Sequence, residues 1–397
     1  MAISTDVQYI FKTGFTDEAV ARDVSKDHPL FASIARKGMF NGRGQFYSIK
    51  TANSQGVSSG FDEAQASIST TQGVQPYVTR VTKYGFIRLN GEDMKAAPND
   101  GAFYDYVTEQ TDSIIEEVGN DLALDLYGDA SGMRGRISSL VGNVLTLTNA
   151  DDVRKFGIGM TIVGDDNASG LSPRAGSTTV TAIDEDTGTV TVANAASANL
   201  AQNDYLFRYG DGGVCVQGLA LCTPLVAPVF GADSFRTIDR GSNVRKLAGV
   251  RLTGSGAIEE DIGLLAVKCK QNVKRAFDRF YLNPINFHSV VQRLGARIEY
   301  DGGGGEATAG FETIKIATEG GTVGLVSDPD CPTTLGYGVR MSEHFIWHLD
   351  EFPHIVRDGD GKTAMKVYNA DSIEIRIRAW WNYVQRMPGA FGVLSIV

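Results

Sequence analysis

The chain has 397 residues, 42% of them hydrophobic and 21% charged, with 46 glycines. That is enough apolar material for a sizeable core and, at about 150 residues per domain, for two or three domains; it excludes a disordered chain. A net charge of −10 argues against a dedicated nucleic-acid binder and against docking on an anionic membrane.

Residues 1–30 mix Asp6, Lys12, Asp17, Glu18 and Arg22 with short apolar stretches, so they hold no signal-peptide core. No apolar run reaches the ~18 residues of a spanning helix. Four cysteines, two of them seven apart (Cys215 and Cys222), form no disulfide framework and read as reduced, buried thiols.

Residues 1–41 read as an N-terminal arm. A short helix over 16–24 is broken at His28-Pro29, after which Leu30, Phe31 and Ile34 offer a small apolar face. Residues 42–90 read as an extended hairpin, with strands over 42–50 and 77–89. Between them, 15 of the 25 residues from 51 to 75 are Gly, Ser, Thr or Gln, and the only charges are Asp62 and Glu63. A polar segment this long usually has a task. It is either a surface loop or an arm that orders on a neighbouring subunit.

Residues 91–136 form a peripheral segment whose main feature is a long helix over 100–127. Asn99 or Asp100 caps it and Gly128 ends it. Phe103, Val107, Gln110, Ile114, Val118, Leu122 and Leu126 make its apolar stripe, widened by Ile115 and Leu124. Residues 137–212 change character: short alternating strands over 144–148, 160–163, 179–183 and 189–192, with a hairpin turn near Gly188, predict an inserted all-β barrel or sandwich.

Residues 213–339 read as α/β. A helix over 257–276 turns Ile258, Ile262, Leu265, Val267, Cys269 and Val273 inward. A strand over 279–282 leads to a helix over 285–294 that Asn283 caps and Pro284 opens. A glycine loop at 302–305 and strands over 313–316 and 323–326 follow. Residues 340–397 return as strands. Residues 372–378 alternate, with Glu374, Arg376 and Arg378 on the polar face, and the last strand covers 392–397.

Catalytic patterns are weak. Asp358-Gly359-Asp360-Gly361-Lys362-Thr363 resembles the tail of a phosphate loop, but the position for its first glycine holds Val356. Read as a calcium loop, it has Asn369 where a bidentate Glu belongs. A turn between strands explains it better. His344 and His348 are four apart, yet Phe345 stands where a zinc helix needs Glu. The acidic turns Asp165-Asp166-Asn167 and Asp184-Glu185-Asp186 read as solvated, with Ca²⁺ as the alternative. No catalytic, cofactor or metal residue is assigned.

The order of parts carries more than any single motif. It resembles the major capsid proteins of tailed bacteriophages, whose fold is named after phage HK97. The polar hairpin over 46–89 is similar to the family's extended loop, and the helix over 100–127 to its spine helix. Residues 257–276 with Phe280-Tyr281-Leu282-Asn283-Pro284 and the helix over 285–294 resemble the axial domain. Ala370-Asp371-Ser372-Ile373-Glu374-Ile375-Arg376 and Arg386-Met387-Pro388-Gly389-Ala390-Phe391 resemble the closing strands.

The resemblance implies an α+β, HK97-like fold carrying an extra β domain, and a structural protein without enzymatic activity. It implies self-assembly through hexamers and pentamers into an icosahedral virion head around phage DNA, built in the host cytoplasm. Scaffolding and portal proteins, a candidate decoration protein and DNA bound without sequence specificity are the implied partners; no membrane and no cofactor are. An encapsulin-like compartment shell is the near alternative. A metal-dependent enzyme or binding protein with an accessory β domain is the distant one.

Two departures from the family matter. Residues 137–210 are additional and are expected at the shell surface, where they could brace a capsomer. The hairpin tip has no lysine, only Lys50 and Lys83 at its base, so the covalent welding of some relatives is not expected. The short arm has no room for a fused scaffold, which implies a separate one. The expected intersubunit contacts are Asp62 and Glu63, paired with basic residues of a neighbour, together with Phe61, Lys50, Lys83, Arg376 and Arg378.

Overall fold

The computed structural model describes residues 27–92, 100–294, 299–300, 313–350, 352–357 and 363–396. The readings at 16–24, at Asn99, at 302–305 and at 358–362 lie outside them. The chain divides into two compact units, Leu124–Cys222 and the sequence on either side.

Helix α1 (Pro29–Ser33) opens with proline, where the missing N–H costs nothing, and buries Leu30 and Phe31. Strand β1 (Ala35–Gly38) follows. The hairpin contains β2 (Gly44–Phe46), β3 (Ile49–Ala52), β4 (Gln72–Val74) and β5 (Tyr77–Thr79). β2 pairs with β5 and β3 with β4, both antiparallel. Its tip carries a helix, α2 (Phe61–Ala66), where the sequence suggested only loop. The strand expected over 77–89 divides at Arg80, and β6 (Val81–Asn90) leaves the hairpin for a larger sheet.

Helix α3 (Asp100–Tyr127) stops before Gly128, whose N–H returns to the Asp125 carbonyl at 3.1 Å. Its buried stripe runs through Val107, Thr111, Ile115, Val118, Leu122 and Leu126. Thr111, bonded to the Val107 carbonyl at 2.8 Å, occupies the inner position expected of Gln110, which is exposed.

The inserted unit is a closed barrel of β7 (Met133–Val141), β8 (Val144–Leu147), β9 (Thr161–Asp165), β10 (Thr178–Asp184), β11 (Thr189–Val192) and β12 (Tyr205–Arg208). Their order around the barrel is β10-β11-β8-β7-β12-β9. Closure depends on the two strands that the periodicity missed, β7 and β12, which pair with each other. Ile137, Leu145, Val153, Ile162, Val190 and Leu206 fill the interior. Gly188 closes the β10–β11 turn at φ +66°.

The remainder contains β13 (Val250–Thr253), α4 (Ile258–Val273), β14 (Arg279–Leu282), α5 (Pro284–Leu294), β15 (Glu299–Tyr300), β16 (Thr313–Thr318), β17 (Gly321–Ser327), β18 (Leu335–Val339), β19 (His344–His348), β20 (His354–Ile355), β21 (Met365–Lys366), β22 (Ser372–Gln385) and β23 (Gly392–Ser395). A seven-stranded sheet runs β13-β23-β18-β14-β17-β16-β15. α4 lays Ile262, Leu265, Ala266 and Cys269 into a core with Phe280, Leu282, Val290 and Leu325. Val267 and Val273, expected inward, are only half-buried. The Asn283 side chain accepts the Ile285 N–H at 3.1 Å and caps α5.

In the second sheet β22 is the centre. It pairs with β6 from Ser372–Asn90 to Trp381–Val81, and also with β19, β20 and β21. β1 adds in parallel to β19. Residues 29–40 are therefore sheet and core, a correction to the arm read over 1–41. The cause is the apolar face itself: Phe31 meets Trp381 edge-on at 6.2 Å, and Phe40 meets Trp347 at 6.0 Å.

Candidate functional site

Beyond its base the hairpin is exposed. No residue from 50 to 75 is buried, and the tip helix α2 buries none. Asp62 and Glu63 occupy its first turn, where the helix dipole favours acids. Neither has an ion-pair partner among the described residues. Phe61 beside them is 81% exposed. Lys50 is exposed on β3.

Alternation along β6 sorts its residues between two faces. Gly85, Ile87 and Leu89 turn inward and are buried, while Thr82, Tyr84, Phe86 and Arg88 turn outward. Lys83 belongs to the inward set. Its Nζ lies 3.4 Å from the Asp121 carboxylate of α3, and the two side chains are only 11% and 5% exposed. The expected contact residue is thus committed to a pair inside its own subunit.

Arg376 and Arg378 project from β22 opposite Phe86 and Tyr84. Arg376 Nε donates to Glu374 at 2.6 Å, and Arg88 reaches the other carboxylate oxygen at 3.4 Å. The Arg376 hydrogen bond, against the opposing effect of desolvation, holds the Glu374 carboxyl below its ordinary range. Arg378 donates to Asp350 and to His354 Nε2, both at 2.9 Å, and its guanidinium lies 3.7 Å from the Trp380 ring centre. Arg80 covers the same ring at 4.8 Å, and Trp380 donates to the Tyr84 hydroxyl at 3.3 Å. The result is a sheet face of arginines interleaved with aromatics, Tyr84 and Phe86 being more than half exposed. Arg80, Tyr84, Phe86, Arg88 and Trp380 were not singled out in the sequence. The period-two pattern of 82–88 against 374–380 is the signal that could have found them.

The other sequence candidates resolve into structural roles. His344 is fully buried in β19, and His348 stacks on Phe352. Asp165 accepts the Asn167 and Ser172 N–H groups, each at 2.8 Å, and Asp184 accepts those of Asp186 and Thr187. These carboxylates shape turns. All four cysteines are buried thiols outside any disulfide. Among the described residues no three His, Cys, Asp or Glu side chains gather as a metal site, and no helix is long and apolar enough to cross a membrane.

No protein-family model matches the chain, and no curated protein does. Solved structures do. The chain is similar to the cyanophage A-1(L) capsid asymmetric unit at 10% identity, covering 93% of this chain and 92% of that one with a TM-score of 0.54. It also aligns with the holo-SrpI encapsulin complex from Synechococcus elongatus (10% identity, 92% and 85% covered, TM-score 0.45) and with Microbacterium phage Oxtober96 (9%, 93% and 91%, 0.45). The cyanophage likeness shows the fold: α+β, of the HK97-like kind.

Proposed function

We propose that this chain is a major capsid protein, a non-enzymatic subunit that assembles into the icosahedral head shell enclosing phage DNA. The observation that carries this reading is the shared fold with a cyanophage capsid subunit over nearly the full length of both chains. The exposed hairpin supports it. The outer arm, with no buried residue from 50 to 75, gains its contacts from another copy, and closed symmetry multiplies contacts that are individually weak. Hexamers and pentamers are the proposed intermediates. Scaffolding and portal proteins, a decoration protein on the outer surface and DNA held without sequence specificity are the proposed partners. Assembly takes place in the host cytoplasm.

At the contact itself, Asp62 and Glu63 pair with a neighbour's cations and Phe61 supplies apolar area. Lys50 lies at the arm's base, and the Arg376–Arg378 face offers the opposite charge. The tip has no lysine between Lys50 and Lys83, so the joint is non-covalent.

Electron microscopy of the purified protein, with light scattering for mass, tests the reading. Closed shells, hexamers or pentamers are expected. A protein that stays monomeric at high concentration and with crowding agents would overturn it. Shells filled with a protein cargo rather than DNA would transfer it to a compartment. Asp62→Lys with Glu63→Lys should raise the concentration needed for assembly at least tenfold while leaving the melting temperature of the subunit unchanged. Normal shells from that variant would remove the tip contact but leave the capsid reading standing.

A further inference from the structure

Two consecutive residues without glycine's freedom sit in the left-handed region: Arg236 at φ +48° and Thr237 at φ +69°. Thr237 is β-branched, which makes this conformation unusual for it. A bridge between Phe235 and Ile238 closes the turn around them. Turns with positive φ at both central positions ordinarily hold glycine or asparagine. Such a conformation persists only where its surroundings fix it.

The surroundings are the base of the hairpin. Arg236 is 5% exposed, and its guanidinium covers the Phe235 ring at 4.8 Å. Nη1 donates to the Tyr47 hydroxyl at 3.3 Å and Nη2 to the Tyr383 carbonyl of β22. Its own carbonyl accepts the Tyr77 N–H at 2.9 Å. One residue therefore ties both hairpin strands, at Tyr47 and Tyr77, to the central strand of the sheet. Ile238 packs beside it on the cluster of Tyr47, Ile49, Val78 and Trp347.

Farther out a second tie meets a break in the strand pairing. The pairing of β3 with β4 slips between Lys50 and Ala52, leaving Thr51 as a bulge. The Thr51 carbonyl accepts from Lys246 Nζ at 2.8 Å and Asn243 Nδ2 at 3.3 Å. Around these contacts lies an open cavity of about 520 Å³, lined by Thr51, Thr71, Gln72, Ser242 and Asn243 among others.

We propose that the Arg236–Thr237 turn is a loaded catch for the hairpin. It locks the base against the sheet in a strained conformation, and withdrawal of Arg236 from Tyr47 and Tyr383 relaxes the turn and frees the base. Arg236 is a positioning residue, and the device does not depend on what the arm touches.

Hydrogen exchange by mass spectrometry on the unassembled full chain tests it, so a failure to form shells does not enter. Arg236→Ala should speed exchange at least tenfold in peptides covering 44–52 and 72–79 and leave the barrel peptides unchanged. Tyr47→Phe, which removes only a hydroxyl, should speed the same peptides by a smaller factor and decides the matter if the alanine variant does not fold. Thr237→Gly keeps the contacts and removes the strain, so it should raise the melting temperature and leave hairpin exchange equal or slower. Unchanged hairpin exchange in the Arg236 and Tyr47 variants would overturn the catch, as would a lowered melting temperature for Thr237→Gly.

Discussion

His344 shows how one buried side chain can set a response to acid. Neither ring nitrogen has a hydrogen-bond partner among the described residues, and the ring lies between Tyr383 and Phe391. Burial first, and then the charge of Arg279, lowers its pKa to about 3 from an ordinary 6.5. Between those values the unfolded chain binds a proton that the folded chain refuses, so stability falls as pH drops from 6.5 toward 3. The limit is on the order of 4–5 kcal/mol. Urea titrations of His344→Phe should lose this part of the acid limb, and a wild-type-minus-variant difference that does not vary with pH would contradict the account. His28 acts in the opposite sense. Burial disfavours its charge, but the hydrogen bond and charge of Asp330, with Asp328 and Asp27, outweigh burial and raise its pKa. Its contribution is complete below 6.5 and is lost as pH rises through the raised value, so it leaves the acid limb of the comparison untouched.

Between elements, a tight constraint lies where β6 crosses α3. A Cβ on Gly85 would stand 2.6 Å from a methyl of Val118 and 3.3 Å from Ile114, so the helix lies against bare backbone. Gly85→Ala forces the two apart and should cost about 1–3 kcal/mol, read as a lower urea midpoint at constant slope. An unchanged midpoint would mean that the helix has slack to retreat. Elements of this kind also separate what the sequence revealed from what it hid. α3, α5 with its Asn283 cap, and the alternating stretch of β22 were legible because each repeats one period long enough to register. α2 was hidden because six helical residues interrupt a segment rich in Gly, Ser and Thr. β7 was hidden because Arg134, Gly135 and Arg136 blur its alternation, and β12 because Tyr-Leu-Phe-Arg is short and does not alternate; barrel closure, a non-local pairing, is what makes them strands. At the site, Asp62 and Glu63 stood out as isolated charges, whereas the inward turn of Lys83 depends on its facing Asp121 across the fold.

At the scale of the whole molecule, the barrel has an apolar core of its own. Among the described residues, the barrel's interior is drawn from residues 137–206, and the clusters around Leu265 and around Trp347 in the other unit lie outside that range. Cooperative unfolding follows shared burial, so a chain with two cores of this size should show two calorimetric transitions rather than one. Leu206 and Leu265 are both fully buried, one in each core. Truncation to alanine costs about 2–5 kcal/mol at such a site. In a unit of about 100 residues each kcal/mol moves the melting temperature by about 4–8 °C. Leu206→Ala should therefore lower the barrel's transition by about 10 °C or more and leave the other in place, whereas Leu265→Ala, in the larger unit where each kcal/mol moves the melting temperature by only about 2–4 °C, should lower the other transition by a smaller amount and leave the barrel's in place. If either substitution moved both transitions together, the barrel would be part of a single cooperative block. Strain placed on it would then reach the hairpin and its catch. Independent transitions would instead make the barrel a module that can be altered without disturbing the fold that carries the arm.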